Sequence, residues 1–331
     1  MSNADDLIPV FIPPLAACLA KAEDLKKAPL TAEEVVKIRN SAVCMMMAPE
    51  EAEKLTTSRG YRDVAPEDCW ADWHRLRVQL TGKGYLPKIV LCLLGDADFE
   101  SRARYLLESE GIEHEWRGRD ARMTAAFEAS TCRWDPSFRD EDRAAIASHS
   151  RALYVLSGTL PADEGAAAGL AFLQLGARLL EAGAVAMKCD SSGIAHGRDR
   201  WLELAREADG PEPWNALLRA FVQFPISTGD DYYSCGMHLL GQPDLIASHA
   251  ILKESCGPDE DPGWRAVHVF GIFAHYMLAE CQPGEFASGH TFSPDAESPR
   301  FRVQWEGCTG YDEDDFFFNP FGRWRFSERI A

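Results

Sequence analysis

"ALYVLSGTLPADEGAAAGLAFLQLGARLLEAGAVAMKCD", residues 152–190, holds two short apolar runs on either side of a long alanine- and leucine-rich segment. Apolar runs of this length, rich in β-branched and aromatic residues and bounded by glycine or polar residues, predict buried strands. Between them Leu170, Leu173, Ala177 and Leu180 recur at helical spacing, Phe172, Leu175 and Leu179 widen the stripe, and Gly183 stands where a helix ends. The stretch therefore predicts strand, helix, strand. Short links predict that the strands at 152–157 and 184–189 run parallel, joined by a right-handed crossover.

The same pattern appears upstream. "PKIVLCLLG" (87–95) predicts a strand, "DFESRARYLLESEG" (98–111) a helix closed by Gly111, and "IEHEWRG" (112–118) a second strand, with the polar helix-like "DPSFRDEDRAAIASHS" before the next unit. Downstream, "RDRWLELAREA" and "WRAVHVFGIFAHYMLAE" predict helices. "FVQFPIS" and "DYYSCGMHL" predict strands around a turn, and the alternation of "RFRVQWEG" and "GRWRF" predicts two antiparallel edge strands. Residues 1–80 predict a mainly helical segment: Thr31 and Glu34 form a capping box, and Trp70, Trp73 and Leu76 or Arg77 stand at helical spacing. The expected fold is thus α+β or α/β, with mixed sheets covered by helices. The expected division is a helical segment at 1–80, a first α/β unit at 81–148 and a second, related one at 149–331.

Composition limits function. The chain of 331 residues carries 52 Asp and Glu against 34 Lys and Arg, a net charge of −18. Such a charge repels nucleic acid and anionic membrane and attracts a basic protein, so a protein partner is expected. A small anion is the other expected partner, from the loop at 188–201. Pro13 and Pro14 interrupt the first apolar run, which follows acidic residues, so neither a secretory signal nor a membrane span is expected; a cytoplasmic location is. The ten cysteines lie at least 21 residues apart, with no chelating pair, and are expected to be reduced core thiols binding no metal. No cofactor motif occurs: "TGKGYLPK" lacks the ending of a phosphate loop, and no nucleophile elbow is present.

Two places suggest chemistry. "KCDSSGIAHGRDRW" (188–201) leaves a buried strand and leads toward a helix near Arg198, so Asp190, Ser191, Ser192, Gly193 and His196 form the candidate pocket for a small anion. The bland alternative has Ser192 capping the loop and His196 packed on Trp201. "LLGDADFE", "VLSGT" and Lys188 loosely resemble the haloacid dehalogenase pattern, which implies roles for Asp96, Asp98, Ser157 and Lys188 in phosphoryl transfer. That family's last acidic pair has no counterpart, since Asp312–Asp315 follow no buried strand, and an aspartate capping the next helix is the competing reading. His268 and His275, seven residues apart, lie about 10 Å apart along one helix face, too far to share an ion. His196, His238, His249 and Asp190 are the remaining combination for a metal, with nothing in their spacing to support it.

"IASHSRALYVLSG", "LLEAGAVAMKCDSSGIAHG" and "YYSCGMHLLGQPDL" together resemble an uncharacterised bacterial family, a domain of unknown function, over roughly residues 140–260. The resemblance implies an accessory cytoplasmic protein with a link to toxin and immunity systems, and no activity. The expected function is binding or interaction of an immunity-like kind. The alternative is a small-molecule or phosphoryl-processing enzyme with its site at the carboxyl ends of the strands.

Overall fold

The structure, a computed structural model, describes residues 7–131, 138–257, 259–282 and 285–330. The chain divides into two compact units, residues 1–84 with 282–288, and residues 85–281 with 289–331.

The first unit contains β1 (Ile8–Phe11), α1 (Leu15–Lys26), α2 (Ala32–Ser41), β2 (Cys44–Met47), α3 (Pro49–Arg59) and α4 (Cys69–Thr81). α2 starts at the Thr31–Glu34 capping box. α1 starts after Pro14 without a cap of its own, and the Asp63 carboxylate accepts from the N–H groups of Leu15 and Ala16 at 2.9 and 2.7 Å. A carboxylate there both satisfies orphan donors and meets the positive end of the helix dipole. Leu15, Leu19, Val35, Trp73 and Leu76 form the core. Beside it, buried Glu23 pairs with Arg77 at 2.8 Å, and Arg62 grips Asp72 with two hydrogen bonds. The segment is mainly helical as expected, but it also holds an antiparallel ribbon that pairs Ile8 with Met47 and Phe11 with Cys44.

The second unit begins with β3 (Val90–Gly95), α5 (Ala97–Ser109), β4 (His114–Gly118), α6 (Met123–Ala129), α7 (Asp140–Ser148), β5 (Arg151–Leu156), α8 (Gly165–Glu181), β6 (Ala186–Cys189), β7 (Ile194–Gly197) and α9 (Arg198–Ala208). Its five-stranded sheet has the order β4-β5-β3-β6-β7, antiparallel at every step. β5 and β6 do point the same way, but β3 lies between them, as β5 lies between β3 and β4. Two strand–helix–strand units are therefore interleaved, the split β-α-β arrangement of a ferredoxin-like sheet with β7 added at the edge. The expected division at 148/149 falls inside this sheet, because the interleaving draws strands from both sides of it.

The unit continues with α10 (Trp214–Phe221), β8 (Gln223–Ser227), β9 (Asp231–Cys235), a 3-10 turn at Met237–Leu240, β10 (Asp244–Ser248), α11 (His249–Ser255), α12 (Pro262–Ala279), β11 (Thr291–Phe292), β12 (Arg300–Glu306) and β13 (Arg323–Ile330). These strands form a mixed six-stranded sheet in the order β11-β12-β13-β10-β9-β8, parallel only between β10 and β13. The "GRWRF" segment is therefore an interior strand, not an edge, with Trp324 and Phe326 buried. Phe326 packs against Phe273 of α12 and Phe301 of β12, with ring centroids 5.3 and 5.8 Å apart. The fold is α+β, with helices covering the sheets. No helix among the described residues is long and apolar enough to cross a membrane.

Candidate functional site

The "DSSG" turn between β6 and β7 is a hairpin connection rather than a route from strand to helix. Four residues, Ile194–Gly197, add an edge strand before α9 begins at Arg198. Gly193, at φ +71°, closes the turn by donating its N–H to the Cys189 carbonyl at 2.9 Å. Buried Ser191 donates to Lys88 O at 2.6 Å and accepts from Val90 N at 3.0 Å, stitching the turn to β3. Ser192 is buried, with its Cβ against Gly236 of the six-stranded sheet. Asp190 pairs with Lys188 at 2.9 Å. Asp190, Ser191 and Gly193 are thus held within their own sheet and turn, and Ser192 faces the six-stranded sheet. The Ser191 hydroxyl is committed to backbone at both its donor and acceptor positions.

His196 has a different setting. On β7 its side chain and that of Ile194 alternate with Ala195, which joins the core on the opposite face. The His196 ring is buried, tilted against Trp201 with centroids 5.6 Å apart, and Nε2 lies 3.3 Å from the Ala220 carbonyl. The packing on Trp201 is therefore present, and Trp201 is itself fixed by donating to Leu173 O at 3.0 Å. Ile194 and His196 also line the floor of a cavity of about 500 Å³. α10 supplies one wall with Asn215, Leu218 and Arg219, α12 the other with Val267, Gly271, Ile272 and His275, and Val222 and Phe224 complete the lining.

This size and apolar lining, with a few polar groups, suit a small ligand. Asn215 Oδ1 lies 3.2 Å from His275 Nδ1, and Glu207 accepts from Arg219 Nη1 at 3.2 Å. Gly271 matters through what it lacks. In the middle of α12 a glycine costs roughly 1 kcal/mol relative to alanine. A Cβ built there would meet only Phe224, at 3.9 Å, so no close approach requires the glycine. The missing side chain leaves room inside the cavity.

The phosphoryl-transfer set does not assemble. Asp96 caps α5, accepting from Phe99 N at 2.8 Å, and Asp98 is exposed in the first turn of that helix. Ser157 accepts from Ile89 N at 2.8 Å, at the other end of β3. The six residues of β3 separate the two places by about 20 Å. Antiparallel neighbours put their carboxyl ends on opposite edges, so this sheet has no common carboxyl edge at which to gather a site.

The histidines are equally dispersed. His238 is fully buried, with Nδ1 3.8 Å from Asp244, whose carboxylate is otherwise held by Ser234 and Asn319. His249 stacks on Tyr232 at 4.1 Å, and His268 lies 3.7 Å from Asp295. Among the described residues no three His, Cys, Asp or Glu side chains converge to hold a metal ion. The nine described cysteines are all free. Burial, and next the nearby Asp190, pushes the Cys92 thiol up to about 12; burial raises Cys189 to about 11. Neither is a nucleophile at neutral pH.

A second, more polar cleft of about 230 Å³ lies on the six-stranded sheet between Asp231, Tyr233, Asp244, Tyr311, Asn319 and Arg323. Its groups are largely committed: Tyr233 and Tyr311 share a 3.2 Å hydrogen bond, Asn319 donates to Asp244 at 2.7 Å, and Arg323 donates to Glu306 and Thr309 outside the cleft.

Of the residues singled out from the sequence as a site, the structure brings only His196 to the larger cavity. α10 was not read as an element, and the face of α12 that carries His275 was weighed only for a metal and not as a cavity wall. The available signal was the i, i+4 spacing of Val267, Gly271 and His275, a small, partly polar strip on an otherwise apolar helix. No family model, curated protein or solved structure matches the chain, so the functional reading rests on this geometry.

Proposed function

We propose that the protein binds a small apolar molecule in the cavity between α10, α12 and β7, and that binding rather than catalysis is its role. The observation that carries this reading is Gly271. A helix forgoes side chain and stability at a position where neither backbone conformation nor packing demands it, and the result is an apolar chamber of about 500 Å³. Among the described residues no Ser, Thr, Cys, Asp or Glu lines that chamber. Its titratable lining residues therefore include no nucleophile beside a base, the pairing that covalent catalysis requires.

The test is direct. N-phenyl-1-naphthylamine, an uncharged apolar fluorophore, should brighten on saturable binding to the protein. Gly271→Leu should abolish that binding while raising stability by about 1 kcal/mol or more, through helix propensity and cavity filling. A variant that folds and binds the fluorophore unchanged would rule the cavity out.

A second reading, immunity-like capture of a basic protein partner, is favoured by the β1–β2 ribbon. Ile8, Val43, Met45 and Met46 are 40 to 65 % exposed there, and Glu50 and Glu51 follow at the start of α3. Large exposed apolar side chains beside like charges suit a partner of opposite charge. Co-expression with the neighbouring gene's product should give a complex that Met46→Glu breaks; no complex, or one indifferent to this substitution, counts against the reading.

A further inference from the structure

Resting on the cavity reading above, we infer that the ligand is an amphiphilic anion, an apolar body ending in a carboxylate, sulfonate or comparable group that Arg219 receives. The charge of the lining points to this. The chain has 52 acidic residues against 34 Lys and Arg and 9 His, yet among the described residues the ionisable side chains lining the cavity are His196, Arg219 and His275, with no acid among them. In a molecule of net charge −18, Arg219 thus stands at an apolar chamber with no described carboxylate in its lining, and pairs with Glu207 on α9.

The basic groups are also held in place. Glu207, one helix earlier on α9, accepts from Arg219 Nη1 at 3.2 Å and so fixes a guanidinium that carries five donors in a planar fork. Asn215 and Arg219 stand four residues apart on α10, and the Asn215 carbonyl takes the Nδ1–H of His275 across the gap from α12. The apolar part of the ligand is received by Ile194, Leu218, Val267 and the space beside Gly271.

A matched pair of fluorophores tests the inference on the intact chain. 8-Anilinonaphthalene-1-sulfonate shares the ring system of N-phenyl-1-naphthylamine and adds a sulfonate. The sulfonate should bind at least tenfold more tightly than the uncharged amine despite its lower hydrophobicity, roughly the value of one charge-assisted hydrogen bond. Arg219→Gln should lower the ratio of the two affinities about tenfold, and Gly271→Leu should remove both. If both probes bind with equal affinity, or if Arg219→Gln weakens both by the same factor, the anion inference is overturned and the cavity reading stands. If neither probe binds, or both survive Gly271→Leu, the cavity reading fails and this inference with it.

Discussion

His74 stands on α4 with its ring edge-on to Trp70, centroids 4.3 Å apart, and burial, then the charge of Arg77, drives its pKa down from 6.5 to about 4. Glu23, paired with Arg77, offsets only part of this. In the unfolded chain the ring takes up a proton below about 6.5, and in the folded unit only below about 4. Between these values the unfolded state binds more protons, so stability is full above pH 6.5, falls on acidification through the window and levels off below it. The loss from this one group is on the order of 3 kcal/mol over the window. Urea unfolding followed by tryptophan fluorescence at pH 7 and pH 4.5 should show the loss, and His74→Phe should flatten the slope. An unaltered slope in the variant would assign the pH dependence to other groups. His196 illustrates a different lesson at this scale. A polar side chain in a run otherwise apolar was visible in the sequence, but whether it faces a helix, a partner or a void depends on α10 and α12, which come from 18 to 83 residues further along.

Elements with a chemical start and stop were legible, and those without were not. α2 follows from Thr31 and Glu34, α9 begins and ends within the segment Arg198–Ala208 read from its pattern, and α12 fills most of the apolar run that announced it. β7 was missed because all four of its residues are buried, so no alternation marks it, and four residues between a turn and a helix pass for a loop. β1 and β2 failed for the same shortness. β13 was legible as a strand through the alternation of Trp324 and Phe326 with arginines, but its place was not. An interior strand that ends the chain is joined by parallel pairing to β10, nearly eighty residues earlier. That place sets a larger consequence for truncation. Ending the chain after Asn319 removes Phe321, Trp324 and Phe326, all buried, at about 3 to 5 kcal/mol each, comparable to a domain's whole stability. It also strips β10 and β12 of their shared partner. Circular dichroism and thermal melting should find the six-stranded sheet lost; a melting temperature within a few degrees of the full chain would show that β13 is dispensable.

At the scale of the molecule the sequence carried class and charge but not strand order, because the order depends on which distant segments pair. Repeated strand–helix–strand patterns look alike whether the units lie side by side or interleave, and only the pairing of β3 with both β5 and β6 separates the two. The interleaved sheet and the six-stranded sheet touch where the Ser192 turn meets Gly236. Gly236, at φ +122°, directs its missing Cβ at the Phe221 carbonyl and, at 2.9 Å, at the Cβ of Ser192. A side chain there would be strained twice, by a backbone conformation that L-residues avoid and by contact with backbone that cannot yield. Gly236→Ala is therefore expected to cost about 3 kcal/mol or more. Because the junction joins β6–β7 to β9 and the 3-10 turn, both sheets should weaken together. Hydrogen exchange followed by mass spectrometry provides the measurement: peptides covering Ala186–Gly197 and Asp231–Ser248 should lose protection in parallel in the variant. Loss confined to the second peptide, with the first as protected as in the parent chain, would mean that the two sheets are energetically independent and that the turn at Ser192 only touches its neighbour.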